Sequence, residues 1–109
     1  MAIHYDLKRS GTQFMFNLKA ANGETVLTSE RYTTKQNAQG GIASVKKNAP
    51  QEVRYRRLTA TNGQANFTLS AGNGEIIGMS ETYPSPAARD NGVNWVRMVG
   101  SDAPTVDNT

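Results

Sequence analysis

The sequence contains an internal repeat that aligns when the chain is shifted by 51 positions. Residues 16–45 then match residues 67–96 without a gap, and 11 of these 30 positions are identical. A unit of about 50 residues is small for a stable core of its own. We therefore expect the first copy (about 1–50) and the second copy (about 51–109) to share one core in a single domain.

Composition limits the kinds of site that this chain can hold. It has no cysteine and one histidine, His4, so thiolate catalysis and zinc sites of cysteine or several histidines are excluded. No apolar run approaches the ~20 residues of a membrane helix, and the N-terminus lacks a signal-peptide pattern. We expect a cytoplasmic protein without a cofactor, a metal site or a membrane contact.

Alternating apolar and polar side chains predict strands in each copy. The segment 14–20 alternates in this way, which is typical of a strand with one buried face. Asn-Gly pairs at 22–23 and 73–74 precede β-branched residues, which predicts hairpins whose two turn residues both have positive φ. A preceding strand near 3–8 or 53–59 gives each copy three antiparallel strands, six or more in all.

After the last predicted strand of each copy, the apolar period changes to that of an amphipathic helix. Thr34 and Ser85 are predicted to cap the two helices, and Gly100 is predicted to end the second one in a left-handed conformation. Gly41 and Gly92 recur inside the helices, where glycine costs about 1 kcal/mol relative to alanine. Their repetition predicts a close approach of helix and sheet.

Three motifs of the first copy are similar to those of the YegP-like family of small bacterial proteins. They are Phe-x-Leu-Lys-Ala-Ala-Asn-Gly-Glu, Thr-Ser-Glu-x-Tyr and Gly-Ile-Ala-Ser-Val-Lys, followed by a weaker second copy and a terminal Val-Asp-Asn-Thr. The resemblance implies an α+β fold in which two βββα(β) repeats share one antiparallel sheet, with swapped C-terminal strands and two helices on one face. It also implies a short last strand at 105–107, and it supplies no catalytic or cofactor-binding residue.

Basic residues concentrate where the two copies join. Residues 1–50 hold seven Lys/Arg against three acids, while residues 51–109 hold five against six. The cluster at the junction consists of Lys46, Lys47, Arg54, Arg56 and Arg57. Such a cluster could bind nucleic-acid phosphates, which makes a weak nucleic-acid-binding protein the alternative interpretation. The competing interpretation is a solvated surface that discourages strands from aggregating edge to edge.

The second helix carries an apolar flank that the first lacks, formed by Trp95, Met98 and Val99. Aromatic residues and methionine are enriched at protein interfaces, so this flank is a candidate contact for a partner or small ligand. The alternative is that the chain's own segment 103–106 covers it. Because no catalytic constellation or phosphate-binding loop is present, we expect a non-enzymatic, monomeric interaction or ligand-binding protein.

Overall fold

The computed structural model describes residues 2–109 and contains seven strands, two helices and a 3₁₀ turn. In chain order the elements are β1 (His4–Ser10), β2 (Gln13–Lys19), β3 (Thr25–Thr28), α1 (Lys35–Asn48), a 3₁₀ turn (Glu52–Arg54), β4 (Tyr55–Thr59), β5 (Ala65–Ser70), β6 (Ile76–Ser80), α2 (Pro86–Val99) and β7 (Thr105–Asn108). Neither helix is long and apolar enough to cross a membrane, within the described part of the chain.

All seven strands form one sheet, in the order β4-β5-β6-β3-β2-β1-β7. The two copies meet at its centre, where β3 and β6 pair antiparallel, and β7 crosses over from the second copy to lie beside β1. The predicted α+β fold with a swapped C-terminal strand is confirmed. The sheet is mixed rather than wholly antiparallel, because β7 runs parallel to β1. Both strands start beside the end of α2, where the amide of Tyr5 donates to the carbonyl of Pro104 at 2.8 Å.

The Asn-Gly turns form the predicted hairpins, but with a different backbone geometry. Gly23 and Gly74 each have a φ of +88°, and no other residue type among those described has a positive φ. The prediction of two positive φ angles per turn was therefore wrong. Asn22 uses its side-chain oxygen to accept a hydrogen bond of 3.0 Å from the amide of Glu24. This local bond stabilises an ordinary asparagine conformation and leaves only the glycine left-handed.

The helices begin as predicted, and the second one ends differently. Thr34 and Ser85 each accept, through the side-chain oxygen, a hydrogen bond of 3.1 Å from the amide three residues further on, which confirms both N-caps. Gly100 has a right-handed φ of −61°, so the prediction of a left-handed residue was wrong. Its small size matters instead, because a Cβ there would lie 2.7 Å from the Cβ of Ala49. The ends of the two helices therefore meet directly.

Two buried tyrosines connect each copy to the helix of the other. Tyr5 in β1 donates its hydroxyl to the carbonyl of Gly100 at the end of α2, and Tyr55 in β4 donates to the carbonyl of Ala49 at the end of α1, each at 2.7 Å. The last carbonyls of a helix have no partner within it, so these bonds satisfy groups that would otherwise be buried and unpaired. Burial raises the pKa of both hydroxyls, since their charged forms would lose hydration.

The predicted close approach at the two repeated glycines is confirmed. A Cβ on Gly41 would lie 2.8 Å from the Cζ atom of Tyr32 and closer still to its hydroxyl oxygen, and Gly92 has the same relation to Tyr83. Each of these rings also stacks on a phenylalanine of its own copy at 6.3 Å between centroids. Glycine thus allows the helix to rest on a tyrosine that follows the hairpin.

The pairing of β3 with β6 accounts for one difference between the copies. Gly78 stands at the position that Leu27 occupies in the first copy. Leu27 is fully buried, and a Cβ on Gly78 would lie 3.3 Å from one of its methyl groups. Because these equivalent positions meet at the centre of the sheet, only one of them can hold a large side chain.

We predict that Gly41→Ala lowers the free energy of unfolding by about 1–2 kcal/mol, because the new methyl group must displace the ring of Tyr32. Gly40→Ala is the matched control. A Cβ meets nothing within 4 Å at Gly40, so this substitution should raise stability by up to about 1 kcal/mol. Urea unfolding followed by circular dichroism measures both changes, and equal effects at the two positions would contradict the packing described here.

Tyr5→Phe and Tyr55→Phe are each expected to lower the free energy of unfolding by about 1–2 kcal/mol, because each leaves a buried carbonyl unpaired. Tyr32→Phe is the control, with an expected change within about 0.5 kcal/mol. The raised pKa keeps the hydroxyls of Tyr5 and Tyr55 neutral in the folded state. Their contribution to the free energy of unfolding is therefore complete below about pH 10 and is lost at higher pH. Urea unfolding at neutral and alkaline pH tests both points. An effect at Tyr5 no larger than at Tyr32 would refute the proposed importance of these bonds.

Candidate functional site

The five basic residues predicted at the junction lie on two elements, the last turn of α1 and strand β4 with the turn before it. Lys46 lies in the last turn of α1, 5.6 Å above the ring of Tyr5 in β1, and Lys47 beside it is exposed. Arg56 and Arg57 are neighbours in β4, so their side chains leave opposite faces of the sheet. The end of α1 also meets β4, because the hydroxyl of Tyr55 donates to the carbonyl of Ala49 at 2.7 Å. The cluster therefore consists of a lysine pair at the end of α1 and an arginine group at β4, on two adjoining elements.

Arg57 is engaged with carboxylates on the helical side of the sheet. It contacts Glu52 through Nη1 and donates from Nε to Asp90 at 3.0 Å. Arg97 pairs with the other oxygen of Glu52 and Arg89 pairs with Asp90, each at 3.1 Å. Hydrogen bonds from Arg57 and Arg89 lower the pKa values of Glu52 and Asp90 respectively. Arg57 thus belongs to a network of three arginines and two carboxylates.

Arg54 and Arg56 carry charges that this network does not neutralise. Tyr55 and Arg57 face the helices, so Arg56 between them points to the face of the sheet that no helix covers. The guanidinium of Arg54 lies beside Gly72 in the turn between β5 and β6. Its Nε atom is buried without a hydrogen-bond partner in the described chain. Within residues 2–109 neither arginine forms an ion pair.

Strand β4 is a free edge of the sheet, with β5 on one side and no strand on the other among the described residues. The amide of Tyr55 donates to the carbonyl of Glu52 in the preceding 3₁₀ turn, which lies outside the ladder with β5. Alternate residues of a strand direct their backbone groups to the same side. The N–H and C=O groups of Arg57 and Thr59 therefore point to the free edge.

The equivalent edge of the first copy is covered. Strands β1 and β4 correspond, because Tyr5 pairs with Leu18 and Tyr55 pairs with Leu69, and these leucines occupy the same position of the repeat. The outer side of β1 carries β7, whereas the outer side of β4 carries no strand of the described chain. The two copies thus differ in whether their outer edges are covered.

Side chains on both faces of the sheet hold β7 against β1. Lys35 at the start of α1 forms an ion pair with Asp107, and its hydrogen bond lowers the pKa of that carboxyl group. On the open face, the side-chain amide of Asn108 donates to Asp6 at 2.6 Å. In the second copy a proline stands at the position of Lys35 and an arginine at the position of Asp6. The free edge therefore lacks both of these anchoring groups.

The apolar flank of α2 is partly buried and partly exposed. Trp95 is half-buried and packs against the hydrophobic core, while the side chain of Met98 is 75% exposed. Met98 and Val99 line an open groove of about 340 Å³ whose other walls are residues 2–3 and 102–104. The C-terminal segment therefore lies beside the flank and leaves Met98 uncovered.

His4 and the serine that both copies share at the end of the third strand serve local structure. His4 is buried, and its Nδ1 atom lies 2.7 Å from the carbonyl of Ala2. Ser29 accepts a hydrogen bond of 2.9 Å from the amide of Phe16, and Ser80 does the same in the second copy. Within residues 2–109, no group of three or more His, Asp or Glu side chains is arranged to hold a metal ion.

Comparisons with known proteins match the chain along nearly its whole length. A family model described as "Domain of unknown function (DUF1508)" matches twice, over residues 10–55 and 60–107. A UPF0339 protein of Bordetella pertussis is 56% identical over 109 residues, covering all of this chain and 98% of that protein. The UPF0339 protein YegP of Escherichia coli K12 is 50% identical over 102 residues, covering 94% and 93%.

Two solved structures are also similar to this chain. The solution structure of a UPF0339 protein from Shewanella oneidensis has a TM-score of 0.90 and 47% identity, covering 98% of this chain and 92% of that one. The solution structure of YegP from Escherichia coli, titled as a protein of unknown function, has a TM-score of 0.89 and 49% identity, covering 100% and 95%. Neither title assigns an activity or a ligand.

We predict that Lys35→Ala loosens β7 and speeds hydrogen exchange of the β7 amides, because Asp107 loses its partner. Lys47→Ala is the control, since Lys47 is exposed and forms no ion pair within residues 2–109. Because the pKa of Asp107 is lowered in the folded state, its carboxylate stabilises β7 at neutral pH, and this stabilisation is lost as the pH falls through the range in which carboxyl groups titrate. Acidification should therefore loosen β7 in the native chain and have less effect in Lys35→Ala. Unchanged exchange in that variant would contradict the role of this ion pair.

Proposed function

This chain belongs to the DUF1508 family, as its YegP-like motifs predicted, and we propose that it is a non-enzymatic, cytoplasmic module that binds other polypeptides through the free edge of β4. The names of its relatives assign no activity, so the proposal rests on the geometry of that edge. The site consists of the outward backbone groups of Arg57 and Thr59 and the charged side chains of Arg54 and Arg56.

The observation that supports this function is the difference between two equivalent edges. Strand β1 holds β7 on its outer side, and β4 has no strand there among the described residues. An exposed edge can accept an extended chain as an additional strand, with main-chain hydrogen bonds supplying affinity and side chains supplying selectivity. In the first copy, β7 is itself a strand added to the outer edge of β1, so the repeat can accommodate an additional strand at this position.

The competing interpretation is that charge at β4 only protects the edge from aggregation. Short edge strands with charged side chains are a common protective device, and β4 has both properties. Two observations favour binding. The same edge of the repeat already holds a strand at β1, and Arg54 and Arg56 have no counter-ion within residues 2–109.

Two other contacts predicted from the sequence remain proposals. Arg54 and Arg56 could bind nucleic-acid phosphates, although Arg57 is engaged with two carboxylates and the lysines lie at the end of α1. Met98 could contact an apolar partner at the groove beside Val99, where its side chain is 75% exposed. The free edge is preferred because it offers backbone and charged groups together.

Selection of peptides on the full chain tests the proposed function. A library of random ten-residue peptides would be selected on the immobilised protein, and enriched peptides would be titrated into ¹⁵N-labelled protein. We expect enriched peptides to shift the amide resonances of β4. Their affinity should fall by about three- to fivefold in the Arg54→Ala/Arg56→Ala variant, since an exposed ion pair contributes up to about 1 kcal/mol.

The matched control removes two positive charges from the other half of the predicted cluster. Lys46→Ala/Lys47→Ala should bind the enriched peptides as the native chain does. A library that yields no enriched peptide, or peptides that shift only resonances around Met98, would overturn the proposal. Single-stranded oligonucleotides titrated in parallel complete the test, since binding of these alone at β4 would replace the peptide partner with nucleic acid.

A further inference from the structure

We propose that the strand accepted by β4 runs parallel to it and carries an acidic residue that pairs with Arg56. This inference rests on the proposed function, because it specifies the partner of the same edge. The partner it describes is an extended acidic peptide segment. The β1–β7 pair of the same molecule shows how such a strand would be placed, because β7 occupies the equivalent edge of β1.

The β1–β7 pair gives the register that a partner strand would adopt. Tyr5 lies opposite Thr105, and the pairing continues in parallel to Lys8 opposite Asn108. Tyr5 corresponds to Tyr55 in the repeat, so a strand placed on β4 in the same register would start opposite Tyr55. Because the amide of Tyr55 already donates to Glu52, the main-chain bonds of that strand would be made with the carbonyl of Tyr55 and the backbone groups of Arg57. It would extend to Leu58, along an edge that exposes the backbone groups of alternate residues.

The charge at the centre of this register is inverted between the two edges. Asp6 of β1 receives a hydrogen bond from Asn108, which lies two residues beyond its direct neighbour in β7. Arg56 occupies the position of Asp6 in β4. The NH2 group that Asn108 uses toward Asp6 cannot pair with a guanidinium, which has donors only. A partner residue at the position of Asn108 must therefore present an acceptor, and a carboxylate forms the strongest pair.

The residues around Asp6 and those around Arg56 also differ in charge. Asp6 lies near two lysines, Lys19 at 3.5 Å and Lys8 at 4.0 Å, so its charge is balanced within its own copy. The corresponding positions in the second copy are a serine and a leucine. Arg56 thus has no neighbouring carboxylate of the described chain to balance it. Arg54 lies two residues earlier, in the 3₁₀ turn, with its guanidinium beside Gly72. It adds a second positive charge near the start of β4.

The helical side of the edge is compatible with the same orientation. Asp107 of β7 lies opposite Leu7 and pairs with Lys35. On β4 the residue opposite would be Arg57, which belongs to a network with one more arginine than carboxylates. A partner acid at the position of Asp107 would therefore meet net positive charge as well. A parallel strand with acidic residues at these two consecutive positions fits both faces.

Three synthetic peptides test the charge preference on the full-length protein. All are based on residues 103–109: one carries Asp at the positions of both 107 and 108, one carries Asn at both, and one carries Lys at both. We expect the acidic peptide to shift the β4 resonances of ¹⁵N-labelled protein and to bind roughly tenfold more tightly than the lysine peptide at low salt, with the difference shrinking as salt rises.

Charge reversal provides the matched comparison. Arg56→Glu should invert the order of the three peptides, whereas Lys47→Glu, on the helix and outside the strand register, should leave the order unchanged. A nitroxide at the first residue of the acidic peptide should broaden resonances near Tyr55, and a nitroxide at its last residue should broaden those near Thr59. The opposite pattern indicates an antiparallel strand and overturns this inference.

The outcomes separate this inference from the proposed function. Peptides that bind at β4 without a charge preference, or antiparallel, refute the acidic parallel strand and leave the binding edge in place. If neither these peptides nor the selected ones shift β4 resonances, the proposed function fails as well. An unchanged peptide order in Arg56→Glu refutes the pairing with Arg56 directly.

Discussion

Each copy of the repeat supplies a tyrosine that completes the helix of the other, and the architecture depends on this exchange. The hydroxyl of Tyr5 binds the end of α2, and that of Tyr55 binds the end of α1. A helix end buried without such partners would be costly, because backbone carbonyls away from water must be paired. Together with the central pairing of β3 and β6, these bonds make two short repeats one sheet with one core.

Duplication within a single chain allows equivalent positions to diverge, and some of these differences have structural consequences. At the centre of the sheet, Gly78 leaves space for the side chain of Leu27. At the outer edges, Asp6 of the first copy is paired with Asn108, while Arg56 of the second has no such partner in the described chain. Shared residues such as Ser29 and Ser80 explain how a copy folds, so the unequal edges are where binding is proposed.

The candidate site was only partly visible in the sequence. The concentration of Lys and Arg near residues 46–57 pointed to the correct part of the chain, but proximity in sequence does not imply a shared surface. Adjacent residues of a strand face opposite ways, which separates Arg56 from Arg57. Glu52 and Asp90, which engage Arg57, lie 5 residues before it and 33 residues after it, so no local pattern connects all three. The anchors of β7 at Lys35 and Asp6 had no sequence signal, because they act across the fold.

The sequence by itself determined the local elements, because periodicity, caps and turns depend on residues a few positions apart. Thr34 and Ser85 as caps, the hairpins at the Asn-Gly pairs and the space kept by Gly41 were all readable from it. The tertiary structure decided which edge is covered and which is free, and that β7 runs parallel to β1. Those properties depend on contacts such as Tyr5 with Gly100, 95 residues apart, whose free energy no local pattern encodes.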